Sequence, residues 1–183
     1  VTGDAAMFAR LESLGDAAFR LHDQADAGLW EFRGRSAVHT YSSAMSWAGC
    51  DRLARIARRL RLDERAALWT QRAAQIRAAI IERAVEPKHG YFVDAFDGDR
   101  IDASTLLLER MGFVGADDPR YLATVDAIGR SLRRGDHVFR YIAPDDFGAP
   151  QTSFAICSFW YVDALAVTGK IAEARELFET LLA

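Results

Sequence analysis

A glutamate stands between two aromatic residues in the run Gly28-Leu29-Trp30-Glu31-Phe32-Arg33-Gly34. Burial beside Trp30 and Phe32 would raise its carboxyl pKa and Arg33 would oppose that rise, which is the kind of tuning a general acid needs near neutrality. Glu31 is thus the leading catalytic candidate, with a structural Glu31–Arg33 ion pair under an aromatic lid as an equal alternative on these residues alone. A second polar loop, Arg140-Tyr141-Ile142-Ala143-Pro144-Asp145-Asp146-Phe147-Gly148-Ala149-Pro150-Gln151, gathers an arginine, a tyrosine and two aspartates. Each sugar hydroxyl both donates and accepts, so such a set suits recognition of several of them; a capped turn with a solvated Arg140 is the plainer reading.

Other groups carry less. Asp94, Asp97, Asp99 and Asp102 cluster in sequence without the spacing of a calcium loop. The histidines His22, His39, His89 and His137 are scattered, with no pair at helical spacing, so no metal or other cofactor is expected. Ser42 and Ser43 follow His39, but no nucleophile elbow surrounds them and a helix N-cap accounts for them. Trp47 and Trp160 could stack on sugar rings, although aromatics on buried helices more often serve the core.

The elements that must position these loops are helical. Apolar spacing predicts helices over about Asp4–His22, Ser42–Leu60, Asp63–Ala84, Ala103–Met111, a segment opened by Asp117-Asp118-Pro119, Thr152–Val167 and Ile171–Leu182. Between them, Tyr91 to Ile101 with its Asp97-Gly98 pair predicts a short β-hairpin. One-sided helices alternate with helices apolar on nearly every face, the second and sixth most clearly. Strict alternation implies two shells, an inner ring and an outer ring, and so an all-α architecture that is part of an α/α toroid; a curved helical solenoid is the alternative, but no repeat supports it.

Composition narrows the class further. Half of the 183 residues are hydrophobic and 27% are charged, which makes a well-cored globular chain of single-domain size. A net charge of −3 offers no field for a nucleic acid, and no run is long and apolar enough to span a bilayer, so neither DNA nor membrane is an expected partner. Cys50 and Cys157 lie in apolar helical patterns and read as buried thiols, in keeping with a cytoplasmic protein. No targeting signal precedes Val1, and the missing initiator Met suggests a piece of something longer.

The 28–34 run, followed by His39-Thr40-Tyr41-Ser42-Ser43-Ala44-Met45-Ser46-Trp47-Ala48-Gly49-Cys50-Asp51-Arg52, resembles bacterial members of glycoside hydrolase family 15, the glucoamylase-like and trehalase-like enzymes. The resemblance continues through Ile101-Asp102-Ala103-Ser104, Arg140-Tyr141, Asp145-Asp146-Phe147-Gly148 and Cys157-Ser158-Phe159-Trp160-Tyr161-Val162-Asp163-Ala164-Leu165-Ala166, and covers nearly the whole chain. It implies an (α/α)6 barrel and inverting hydrolysis of α-linked glucosides by a glutamic acid and a second carboxylate that activates water. It carries the acid onto Glu31 and places Leu29, Trp30 and Arg140 around the sugar that is cleaved. Arg33, Tyr141, Asp145 and Gln151 complete the expected binding set. The family's base comes from a loop downstream of the last residue here, so residues 1–183 are expected to be one partial catalytic domain, a central to C-terminal portion that needs the remainder of the parent polypeptide and is inactive alone. Its expected partner is an α-glucoside or oligosaccharide. Ser43 and Gln151 depart from the family pattern of a lysine and a glutamate, and Gln151 points to altered specificity. A non-catalytic helical-toroid module that binds carbohydrate or protein is the rival, and a polysaccharide lyase a third reading, disfavoured by the few basic residues in the two loops.

Overall fold

A computed structural model describes residues 4–183. Its helices are α1 (Ala5–Leu21), α2 (Thr40–Arg59), α3 (Asp63–Arg83), α4 (Leu107–Arg110), α5 (Pro119–Ser131), α6 (Ala155–Val167) and α7 (Ile171–Leu182), with strands β1 (Arg133–Arg134) and β2 (His137–Val138) and a 3₁₀ turn at Ala103–Leu106. Asp4 caps α1 through the Met7 N–H at 2.8 Å. Asp118 caps α5 through the Arg120 N–H at 2.9 Å, with Pro119 in the first turn, where its missing N–H costs nothing. Asp63 is the first residue of α3 rather than its cap, where its charge favours the helix dipole. None of these helices is long and apolar enough to cross a membrane.

Short connections make two helical hairpins. Three residues join α2 to α3, with Arg61 in the left-handed region (φ 57°), and three join α6 to α7, where Gly169 (φ 88°) supplies the same geometry without a Cβ penalty. The inward stripe of α3 has helical spacing, and Ala66, Trp69, Ala73, Ile76 and Ile80 are all buried. Between the hairpins the core continues through Phe92, Leu106, Leu108, Phe113, Ile128 and Leu132. Trp47 belongs to this core, edge-on to Phe113 at 5.1 Å. Both cysteines are free and buried, and burial pushes the Cys50 thiol up to about 11 and the Cys157 thiol up to about 12.

Three expectations are corrected. The hairpin over Tyr91–Ile101 does not form, because the backbone there is bonded elsewhere: the N–H groups of Phe92, Val93 and Phe96 donate to Thr124 Oγ1, Ala84 C=O and Val38 C=O. One bond, Asp94 N–H to Arg100 C=O at 2.9 Å, closes the turn, and the true hairpin is β1–β2 around Gly135. Glu12, a charged residue between the apolar positions of a one-sided helix, is buried, accepting from Arg65 Nε at 2.8 Å and Trp69 Nε1 at 2.7 Å. α6 is apolar all round yet covered on one side only, the side of Cys157, Ser158, Tyr161, Ala164 and Leu165, while Ile156, Phe159 and Val167 remain exposed.

Gly15 sets how closely α1 approaches the α2–α3 hairpin. A Cβ there would overlap Leu53 Cδ1 and come within 2.6 Å of the Trp69 ring. Alanine is the better helix former by ~1 kcal/mol, but overpacking against an indole costs about 1–3 kcal/mol. Gly15→Ala is therefore expected to lower stability by about 1–2 kcal/mol in urea unfolding; a gain in stability would show that α1 is free to shift.

Candidate active site

The loop between α1 and α2 is organised by one carboxylate. Asp26 accepts from the Gly28 N–H at 2.5 Å, Ser42 Oγ at 2.9 Å and contacts His39 Nδ1 at 3.1 Å, so it closes the loop on the first turn of α2. Ser42 and Ser43 are not N-caps: Ser42 serves Asp26, and Ser43 Oγ donates to the His22 carbonyl at 2.5 Å. His39 holds the cap position without a side-chain cap bond. Within the loop, Glu31 N–H donates to Gly28 C=O at 3.2 Å and Phe32 N–H to Ala27 C=O at 2.9 Å.

This tight turn puts Glu31 itself in the left-handed region, φ 54°. For a residue with a Cβ such a conformation costs on the order of 1–3 kcal/mol, and it persists only where the surroundings enforce it. Contrary to the expected burial, Glu31 is exposed: Phe32 turns inward and Trp30 is half-buried, while the glutamate between them faces out. The plainer alternative is absent too, since Glu31 and Arg33 form no ion pair in the structure.

Trp30 is fixed from the opposite side. Its indole N–H donates to Asp102 Oδ2 at 2.8 Å, and Asp102 Oδ1 accepts the Ser104 N–H at 2.8 Å. Burial pushes the Asp102 carboxyl above the usual range, opposed by those two hydrogen bonds. Around the indole stand Tyr141, Phe154 and Trp160, with ring centroids 6.3, 6.1 and 6.1 Å away. The Arg140 guanidinium lies 5.7 Å from the Trp30 ring, 5.4 Å from Tyr141 and 5.8 Å from Phe154. Among the described residues Arg140 forms no ion pair and no side-chain hydrogen bond, which leaves its donors available. An arginine held by aromatic faces, with its N–H groups available, suits a neutral polyhydroxyl ligand.

The two polar loops are joined by Asp146, whose Oδ2 and Oδ1 accept the N–H groups of Arg33 and Gly34 at 2.7 and 2.6 Å. Tyr141 Oη donates to Asp145 Oδ2 at 2.6 Å; that bond holds the Asp145 carboxyl below its usual range, and burial with the same bond pushes the Tyr141 hydroxyl up to about 12. Of the expected binding set, Trp30, Arg140, Tyr141 and Asp145 come together. Leu29 is exposed beside them, Arg33 contributes its backbone while its side chain is exposed, and exposed Gln151 turns back onto its own loop, donating to the Ala149 carbonyl at 3.1 Å. Asp102 and Asp146 were outside that set. Asp102 carried a signal, a lone acid in Ile101-Asp102-Ala103-Ser104 ahead of an apolar helix, but its partner lies 72 residues away.

The sequence profile of glycosyl hydrolases family 15 matches residues 13–183. The chain is similar to a trehalase of Mycolicibacterium smegmatis, 35% identical over 180 residues, 97% of this chain and 27% of that one. It is also similar to a trehalase of Mycobacterium tuberculosis, 37% identical over 160 residues, 86% of this chain and 23% of that one. It thus spans about a quarter of the length of these relatives. Its fold superposes on a wild-type glycosidase with a TM-score of 0.76 at 22% identity, covering 94% of this chain and 44% of the other. A bacterial glucoamylase complexed with acarbose gives a TM-score of 0.68 at 17% identity over 90% and 30%. The helical hairpins are therefore part of an (α/α)6 toroid of the glucoamylase-like type.

A Cβ on Gly34 would overlap Asp146 Oδ1. Gly34→Ala and Asp146→Ala should each cost about 1–2 kcal/mol by loss of the two backbone bonds, and the double variant little more than either alone; additive costs in urea unfolding would show that the clamp is not shared. Because its folded pKa is raised, Asp102 stabilises the fold most when protonated in both states, below about pH 3.9, and that contribution is lost as pH rises toward the folded value. Asp102→Asn should remove this slope and cost about 1–3 kcal/mol at a pH where the carboxyl is ionised, since the amide offers one acceptor to two donors. Parallel stability–pH curves for the two proteins would contradict the assignment.

Proposed function

The chain belongs to glycosyl hydrolases family 15, and on that basis we propose that it carries the general acid and part of the sugar site of an inverting hydrolase of α-linked glucosides. The observation that carries this reading is Glu31, an exposed carboxyl on a left-handed turn that is held from three sides, by Asp26, by Asp146 and by the Trp30 indole bonded to Asp102. Maintaining a strained residue so firmly makes sense where the position of its side chain matters. Glu31 protonates the glycosidic oxygen as the bond to the anomeric carbon breaks. Arg140, in its aromatic box, donates to hydroxyls of the sugar being cleaved, while Trp30 and Leu29 supply its apolar wall.

Inversion needs a second carboxylate, about 6.5–9.5 Å from the first with water between them. Asp102, Asp145 and Asp146 are engaged within the chain, Asp102 by Trp30 and Ser104, Asp145 by Tyr141, and Asp146 by Arg33 and Gly34. As the family resemblance implies, we place the base in polypeptide outside these 183 residues; the chain spans about a quarter of the length of its curated relatives. It follows that these residues by themselves bind sugar without turning it over. The names of the curated relatives make trehalose the first substrate to test, ahead of maltooligosaccharides.

In the whole polypeptide, Glu31→Gln is expected to lower kcat at least 1,000-fold with KM changed little, and NMR of the unmodified enzyme on trehalose or maltotriose should show β-glucose before mutarotation. Near-normal turnover by Glu31→Gln, or initial release of the α anomer alone from maltotriose, would overturn the assignment.

A further inference from the structure

A second polar cleft lies on the other flank of the Phe32 ring. It has a volume of about 340 Å³ and is lined chiefly by Arg35, Ser36, His39, Asp94, Phe96 and Arg100; Trp30, Glu31 and Arg140 take no part in it. Among the described residues only two buried side-chain nitrogen or oxygen atoms lack a hydrogen-bond partner, Arg35 Nε and Thr40 Oγ1. Both belong to this corner: Arg35 lines the cleft, and Thr40 donates its backbone N–H to the Asp94 carbonyl at 2.8 Å. The half-buried Asp94 carboxylate also lines the cleft and has no side-chain hydrogen bond or ion pair among the described residues, and its backbone is fixed on both sides, by Thr40 and by the Arg100 carbonyl at 2.9 Å. Native interiors rarely leave polar groups unmatched, and two such buried atoms in one corner, one of them on a residue that lines the cleft, call for an explanation by function.

The chemistry of the lining selects the ligand. Asp94 as a carboxylate can only accept, while Arg35 and Arg100 can only donate. A hydroxyl meets both demands at once, and a ring bearing several meets them at fixed spacing. Asp94 and Asp99 balance Arg35 and Arg100, so the cleft has no net charge with which to favour an ion over a neutral molecule. The guanidinium of Arg35 is pinned over the Phe32 ring at 3.7 Å, and the volume falls in the range of small-ligand pockets, about 300–1,000 Å³. Burial pushes the Asp94 carboxyl above its usual range, opposed by Arg100, His39 and Arg35 and by the Ala95 backbone.

We propose that this cleft is a second saccharide site, separate from the Trp30–Arg140 box, which takes one neutral sugar unit with Asp94 accepting from its hydroxyls and Arg35 and Arg100 donating to them. The site extends the glycosidase reading and does not depend on Glu31 being the acid.

The test is a titration of the whole polypeptide carrying Glu31→Gln with glucose and, separately, trehalose, followed by ¹H–¹⁵N NMR. Saturable shifts are expected at the backbone N–H groups of Ser36, Phe96 and Arg100, and separately at the Trp30 indole N–H. Asp94→Asn, which keeps the size of the side chain, and Arg35→Gln should each weaken the first set at least tenfold and leave the Trp30 affinity within twofold. Gluconate should bind the cleft more weakly than glucose. Shifts at Trp30 alone would overturn this proposal and leave the function of the first site standing; cleft shifts indifferent to both substitutions, or no shifts anywhere, would overturn it as well, the last outcome also removing the sugar-binding reading of the first site. Shifts at the cleft alone would support the second site and count against the first.

Discussion

The bond from the Trp30 indole to the buried Asp102 carboxylate is the contact on which the geometry of the site depends. Asp102 opens the 3₁₀ turn at Ala103–Leu106 and is held by the Ser104 N–H, so it is as rigid as the core behind it. Trp30 comes from the loop before α2. Arg140 and Tyr141, which pack on it, come from the loop before α6, and the Arg140 carbonyl accepts the Ala103 N–H at 2.8 Å. Three chain segments thus meet on one indole ring, and a hydrogen bond to a charged or buried acceptor is strong enough to orient it.

Around that centre the loops are locked by carboxylates acting on backbone N–H groups. Asp26 closes the α1–α2 loop on α2, and Asp146 clamps the turn after Glu31 from the other loop. Asp146 bonds only the backbone N–H groups of Arg33 and Gly34, and Asp26 bonds Gly28, Ser42 and His39, so the intervening side chains of Glu31 and Arg33 remain exposed. The scaffold beneath is stiff for a different reason: α1 sits on the α2–α3 hairpin at Gly15, close enough that one methyl group would not fit. Rigid helices with polar loops at one end are a suitable base for a site that must hold a carboxyl against backbone strain.

The uncovered face of α6 belongs to the same architecture. Ile156, Phe159 and Val167 are exposed on a helix whose composition is that of an interior, as the inner ring of a two-shell toroid requires. The glycosidase and the glucoamylase on which the fold superposes are longer chains, of which this one covers 44% and 30%.

Helix placement and the stripe Ala66, Trp69, Ala73, Ile76, Ile80 were legible in the sequence, because helical periodicity is local and burial follows it within a turn or two. The clustering of polar residues in the loops before α2 and α6 was legible too, since loop composition is local. Tertiary structure alone decided that Glu31 is exposed on a left-handed turn, that Glu12 is buried under Arg65 and Trp69, and that Phe92, Val93 and Phe96 give their backbone N–H groups to Thr124, Ala84 and Val38. It alone joined Trp30 to Asp102 and Asp146 to the turn at Gly34, partners 72 and 112 residues apart. A hydrogen bond depends on the meeting of two groups in space, and nothing in the spacing of either group along the chain records where the other will be.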